Sequence, residues 1–433
     1  MPPCRIERVP LRDDLTPSGA AKISQLENFN FELRDNSATQ NGEPVESGSL
    51  APSACPAVPP SECFCMTHDI AQLETPALLV DLDIMERNLA RAAAYAAEHR
   101  LALRPHVKTH KSPRVAAQQI ALGSAGLTCA TPYEAEIMSE VTNDILVAYP
   151  PVGASRAVRL AALPRAVRLT VALDSPQAIA EIGRAATGAG RRASVYVELD
   201  LGMHRVGVPS VDEAIALARR VRDEPSLDFA GIAFYPGHVR EQVDDQDAKL
   251  RALNDALADA LRRFTSAGMR PRVVSGGSTP TLWRTHEIEG VTEFRPGTYV
   301  YNDRTTASIG ACAWEDCALT VLATVVSTAV PGQAVIDTGT KALGREPVRG
   351  AEGEGFGQLL EHPEVVVERM SEEHGVLDLS RSAWQPQIGE RVRVIPNHVC
   401  IVVHLNDLVY GMRGGVLETS WPVAARGRGQ LPV

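Results

Sequence analysis

From Leu101 onward the chain alternates short apolar runs with amphipathic helical stretches, and the number of runs restricts the folds open to it. "LALR" at 101, "GLTCA" at 126, "DILVAY" at 144, "RLTVAL" at 168, "SVYVELD" at 194, "DFAGIAFY" at 228, "RVVSGG" at 272 and "VTEFR" at 291 make eight. Segments such as "SPQAIAEIGRAATGAG" and "DDQDAKLRALNDALADALRRFTSAG" separate them with helical periodicity. Strand and helix in strict alternation predict an α/β chain, a (β/α)8 barrel spanning 71–310. After residue 310 the helices stop, and "ALTVLATVVST", "AVIDTG", "EVVVERM" and "ERVRVIPNH" predict a smaller, mainly β domain over 311–433. The strand in "TPALLVDLD", ahead of the helix "IMERNLARAAAYAAEH", is open to either domain.

Residues 1–70 read differently. "RDNSATQNGEPVESGSLAPSACPAVPPSECFC" is rich in Ser, Pro, Gly and acids and has no period, so a disordered extension is expected, with folded sequence starting near Met66. It has no secretory apolar core, and it is too acidic for a typical transit peptide. Cys55, Cys63 and Cys65 lie close together, but their spacing fits no zinc pattern, and Cys129, Cys312, Cys317 and Cys400 show no disulfide framework. A reducing, cytoplasmic setting is the expectation. The net charge of −10 argues against a nucleic-acid partner, because phosphate affinity rests on clustered Lys and Arg. No apolar run approaches the roughly 18 residues that span a bilayer, so no membrane partner is expected.

"LRPHVKTHKSP", Leu103–Pro113, places a lysine where strand gives way to helix. "SPRVAAQQIALG" opens with Ser112 as cap and Pro113 at the first turn and closes at Gly123, so Lys108 falls on the loop after the first strand. Barrel chemistry gathers where strands end at their carboxyl side. The other strand ends supply Arg205 in "DLGMHRVGV", Tyr235 and His238 in "YPGHVR", and the turns "SGGSTPT" and "FRPGTY". Gly276, Gly277, Ser278 and Thr279 on one turn, with Gly297 and Thr298 on the next, offer backbone N–H and hydroxyl donors to a phosphate. Alone, "GGS" is a turn. Beside a loop lysine it suggests a phosphorylated aldehyde cofactor, pyridoxal 5′-phosphate, joined to Lys108.

In family order, "TPALLVDLD", "RPHVKTHK", "YVELDLGMHRVGV", "YPGH", "SGGSTPT", "FRPGTYVYND", "EEHG" and "PNHVC" run from about Glu74 to the end. As a set they resemble the fold-type III pyridoxal-phosphate enzymes, in the D-serine dehydratase and D-threonine aldolase branch of the alanine racemase superfamily. The resemblance implies the cofactor on Lys108, Arg205 near its phenolic oxygen, Tyr235 on the substrate side, phosphate on the two glycine turns, and Arg295 facing the pyridine nitrogen. A homodimer and a small D-amino acid as substrate complete the expectation.

"IPNHVC" puts His398 and Cys400 two residues apart, which on a strand points both to one face. Imidazole with thiolate suits zinc, and the resemblance places a metal on this pair. Dehydratases of the branch resemble this chain in using His and Cys, where aldolases more often have His and Asp. Loss of the β-hydroxyl of D-serine, giving pyruvate and ammonia, is the expected reaction. The alternative is aldol cleavage of D-threonine or 3-hydroxy-D-aspartate to glycine and an aldehyde. His238 is the candidate base for that cleavage, but Arg240 and Glu241 stand where many aldolases have a further histidine. A racemase needs a second base that no residue here clearly supplies, and a non-catalytic cofactor-binding relative would lack the β domain. Lys341 in "DTGTKAL" is a rival lysine, expected to be structural or solvated.

Overall fold

The computed structural model describes residues 68–349 and 354–429. The expected disorder of the N-terminal extension and the Cys55, Cys63 and Cys65 cluster lie outside the described residues. Strands β1 (His68–Asp69) and β2 (Ala77–Asp81) come first. Eight strands follow: β3 (Ala102–Leu103), β4 (Leu127–Cys129), β5 (Asp144–Val147), β6 (Arg168–Leu173), β7 (Ala193–Glu198), β8 (Leu227–Ala233), β9 (Val273–Gly276) and β10 (Glu293–Phe294). All pair in parallel in the order β3-β10-β9-β8-β7-β6-β5-β4. The seam between β3 and β4 is closed just beyond β3, where His106 bridges Thr128 in parallel and the Val107 N–H donates to the Thr128 carbonyl at 2.9 Å. Each of the eight apolar runs is a barrel strand.

Ser112, Thr131, Ser175 and Ser210 each accept a first-turn N–H and start a helix of the outer ring, the first three with Pro at the first turn. Helix follows strand here because each cap begins a stretch whose apolar face is buried on the barrel, as with Ala178, Ile179, Ile182 and Ala186 on Pro176–Gly188.

The second sheet continues with β11 (Leu319–Ser327), β12 (Gln333–Ile336), β13 (Gly357–Leu359), β14 (Val366–Met370), β15 (Gly375–Asp378), β16 (Arg391–Pro396), β17 (Leu408–Arg413) and β18 (Val416–Pro422). Its order is β1-β18-β17-β2-β11-β12-β15-β14-β13-β16, and β16 returns to pair with β11, closing a smaller barrel. Pairing is antiparallel except between β2 and β17. This corrects the domain boundary drawn at 71: β2 lies in the second sheet, between β17 and β11. Ala77, Leu78, Leu79 and Val80 are all buried. A strand covered on both faces reads the same in either barrel, so its residues carry no sign of which sheet holds it. The helix Leu82–Glu98 packs against both β3 and β17. One apolar cluster runs through the junction, with Leu103 and Phe294 from the first barrel beside Val321, Val394, Val399 and Val402 from the second. Removing a side chain such as Phe294, fully buried there, costs about 3–5 kcal/mol. No helix among the described residues is long and apolar enough to cross a membrane.

Candidate active site

Lys108 occupies a tight turn at the end of β3, in which the N–H groups of His110 and Lys111 both donate to the Val107 carbonyl, at 3.1 and 2.7 Å. Lys111 takes φ +51° to leave that turn, a left-handed conformation costly for a side chain of its kind, and a buried ion pair with Glu134 holds it there. Lys108 is half-buried, and its Nζ lies 5.8 Å from the centroid of the Tyr235 ring. The Arg205 guanidinium sits 5.0 Å from the same centroid, on an exposed side chain. Lys108, Arg205 and Tyr235, from three strand ends, thus gather at one mouth.

The floor beneath them is a buried polar chain. Arg295 donates from Nη1 to Ser275 Oγ at 2.5 Å and from Nη2 to the Phe234 carbonyl at 2.9 Å. Ser275 donates to Glu293 at 2.6 Å, and Arg104 bridges Glu293 and Asp144. Glu198 is buried nearby; desolvation pushes its carboxyl above the usual range against the pull of Arg295. Sequence reading missed Glu198, which looked like one more residue of an apolar strand.

The two glycine turns test the phosphate expectation. Gly276 is not bare for a ligand's sake: a Cβ there would meet the Phe234 ring at 2.1 Å. Gly277 takes φ +102°, and a Cβ on Gly297 would lie 2.7 Å from Thr109 Oγ1, so Gly297 lets this turn sit against the lysine loop. The Ser278 N–H is taken by Thr281 Oγ1 and the Tyr299 N–H by Thr279 Oγ1. Among the described residues, the N–H groups of Gly277, Thr279, Gly297 and Thr298 have no acceptor. Backbone donors left over in turns this buried suit an anion. The surplus of cations points the same way. His106 is pushed well below its ordinary range by burial and then by Lys108, Arg295 and Lys111.

The metal pair is where structure and sequence reading part. β16 ends at Pro396, and His398 is the N-cap of a short helix, Val399–Leu405, so strand alternation does not bring the pair together. Asp303 does. Fully buried, it lies 3.0 Å from His398 Nδ1 and accepts the Val399 N–H at 3.2 Å, while its other oxygen caps its own helix at Thr306. Its "DRTT" pattern announces a helix cap in the sequence, but nothing there links it to a histidine 95 positions on. Burial pushes the Cys400 thiol up, yet His398 beside it brings it down to about 7; burial works against the charged form of His398, but Cys400 and Asp303 hold it well above its ordinary range. With Nδ1 engaged by Asp303, His398 offers Nε2 beside the Cys400 sulfur, a donor set that fits zinc. No cluster of three or more His, Cys, Asp or Glu side chains able to hold a metal occurs among the described residues.

This pair belongs with the lysine of its own chain. Cys400 Sγ lies 3.3 Å from Thr109 Oγ1, next to Lys108, and 4.0 Å from Thr298 Oγ1. His238 stands apart from these contacts: its ring packs over Gly202, its Nδ1 is buried without a hydrogen-bond partner among the described residues, and burial followed by Lys249 pulls its pKa down. Lys341 is exposed and paired with Glu373 in the second domain.

Comparison with known proteins places this geometry. The model for the alanine racemase N-terminal domain matches residues 80–305, and the putative serine dehydratase domain matches residues 318–412. The chain is 32% identical over 372 residues to a D-threonine aldolase of Arthrobacter sp, a match covering 83% of this chain and 94% of that protein. It is 37% identical over 358 residues to the D-threo-3-hydroxyaspartate dehydratase of Delftia sp. (strain HT23), covering 77% and 93%. Among solved structures, D-threonine aldolase from Filomicrobium marinum superposes with a TM-score of 0.76 at 32% identity, over 83% of this chain and 98% of that one. Two barrels in the same order, each matched by its own domain model, make this chain a member of the fold-type III pyridoxal-phosphate family of alanine racemase-like lyases that act on D-amino acids.

Proposed function

We propose that the protein removes the β-hydroxyl of a D-3-hydroxy amino acid, D-serine first among them, to give a 2-oxo acid and ammonia, with zinc held by His398 and Cys400. The observation that carries this reading is the seating of an imidazole and a thiol of lowered pKa against the loop that bears Lys108.

In this reading pyridoxal phosphate, held by Lys108, the free N–H groups of the glycine turns, Arg205 and Arg295, supplies a sink for the electrons left at the substrate Cα. Lys108 Nζ would take the Cα proton, from a backbone that the Val107 turn fixes. Tyr235, between Lys108 and Arg205, closes the substrate side and limits water. His398 Nε2 and Cys400 Sγ would hold the ion, which would supply Lewis acidity toward the substrate hydroxyl, and Asp303 keeps the imidazole aimed. Aldol cleavage to glycine and an aldehyde is the second reading; it would need a base at the hydroxyl, for which His238, its Nδ1 unpartnered among the described residues and its pKa pulled down by burial, is the candidate.

Removal of metal tests the assignment. Holoenzyme treated with a chelator should lose most D-serine turnover and regain it with zinc, while borohydride still fixes the cofactor to the protein. Full turnover by enzyme in which metal analysis finds no divalent ion would overturn it.

A further inference from the structure

One buried polar chain in the barrel is not used by the chemistry above. His110, Gln119 and Tyr299 are 0%, 2% and 3% exposed. The Ser112 N–H donates to His110 Nδ1 at 3.1 Å, so the imidazole proton resides on Nε2, 3.2 Å from Gln119 Oε1. This fixes the amide: Gln119 Nε2 donates to the Tyr299 hydroxyl at 3.0 Å. The Tyr299 N–H then donates to Thr279 Oγ1 at 3.3 Å. His110 lies two positions from Lys108, Tyr299 belongs to the turn of Gly297 and Thr298, and Thr279 belongs to the turn of Gly277. The chain therefore spans three strand ends through one helix side chain, and each donor in it has a single direction.

Three apolar side chains would fill this space without desolvating an imidazole, an amide and a phenol. Polar groups here add direction and a fixed distance. We infer that Gln119 is a positioning residue that locks the Lys108 loop to the two glycine turns, setting the distance between the lysine and the phosphate of one cofactor. The inference rests on the proposed roles of Lys108 and those turns. A cofactor tied covalently at one end and by its phosphate at the other tolerates little drift between the two ends.

The test compares wild-type holoenzyme with Gln119→Leu, Tyr299→Phe and the double variant. Cofactor release into a phosphate buffer should quicken roughly tenfold in Gln119→Leu, as loss of two buried hydrogen bonds implies, with a shifted cofactor absorbance band and kcat lowered more than KM is changed. Tyr299→Phe, nearly isosteric, should move the same readouts by a smaller factor and carries the test should Gln119→Leu fold poorly. The double variant should be no worse than Gln119→Leu, since both cut one chain. Release, band and kcat all at wild-type values, with only thermal stability reduced, would overturn the inference. Borohydride labelling followed by peptide mapping separates the two levels: a label on a lysine other than Lys108 removes the reading on which the inference stands, whereas Lys108 labelled with wild-type release removes the inference alone.

Discussion

His110 shows how much one buried side chain decides. Burial drives its imidazole down to about 3 from 6.5, against bonds to Gln119 and Ser112 that raise it. The folded pKa is below the unfolded one, so below pH 6.5 the unfolded chain binds the extra proton. Its contribution to stability is therefore complete above that pH and is lost as pH falls toward 3. His106 acts in the same direction. His110→Asn should flatten the pH dependence of unfolding free energy on the acid side by up to about 1.4 kcal/mol per pH unit, the value of one proton. Denaturant unfolding of holoenzyme at several acidic pH values measures this, and an unchanged slope would contradict it. Lys108 was legible because Ser112 and Pro113 mark the helix start just beyond it. His110 was not: two imidazoles beside a lysine look alike in the sequence, and only the fold buries this one against Gln119 and Tyr299.

At the scale of elements, the helix Val399–Leu405 is set by a carboxylate from elsewhere in the chain. Its N-cap, His398, makes no side-chain capping bond, and Asp303 takes the Val399 N–H instead. Asp303→Asn should lower metal affinity about 10- to 100-fold by loosening the imidazole, with secondary structure retained. Metal titration followed by circular dichroism checks this, and affinity equal to wild type would show that Asp303 does not aim His398. Strand spacing was the local reason expected to bring His398 and Cys400 to one face, and it does not hold. "HVCIVVHL" is dense in β-branched residues and reads as strand, but β16 stops at Pro396 and tertiary contacts impose a helix. The glycine turns were partly legible: leftover N–H groups are there, while Gly276 serves Phe234 and Gly297 serves Thr109.

On the scale of the whole molecule, the first barrel could be read strand by strand because alternation of strand and helix is a property of local periodicity. The second could not. Its "ALTVLATVVST", "AVIDTG", "EVVVERM" and "ERVRVIPNH" runs are strands, but β13, β15, β17 and β18 went unnoticed, and the place of β2 depends on partners hundreds of residues away. The helix Leu82–Glu98 and one apolar cluster join the two barrels, and at their junction Cys400 contacts the lysine loop. Elimination and cleavage would both draw on this lysine and this pair, and D-threonine separates the two outcomes in one reaction. Holoenzyme loaded with zinc and incubated with D-threonine should release 2-oxobutanoate and ammonia in equal amounts, with little glycine. Glycine and acetaldehyde as the main products would contradict the account and leave the aldol reading in its place.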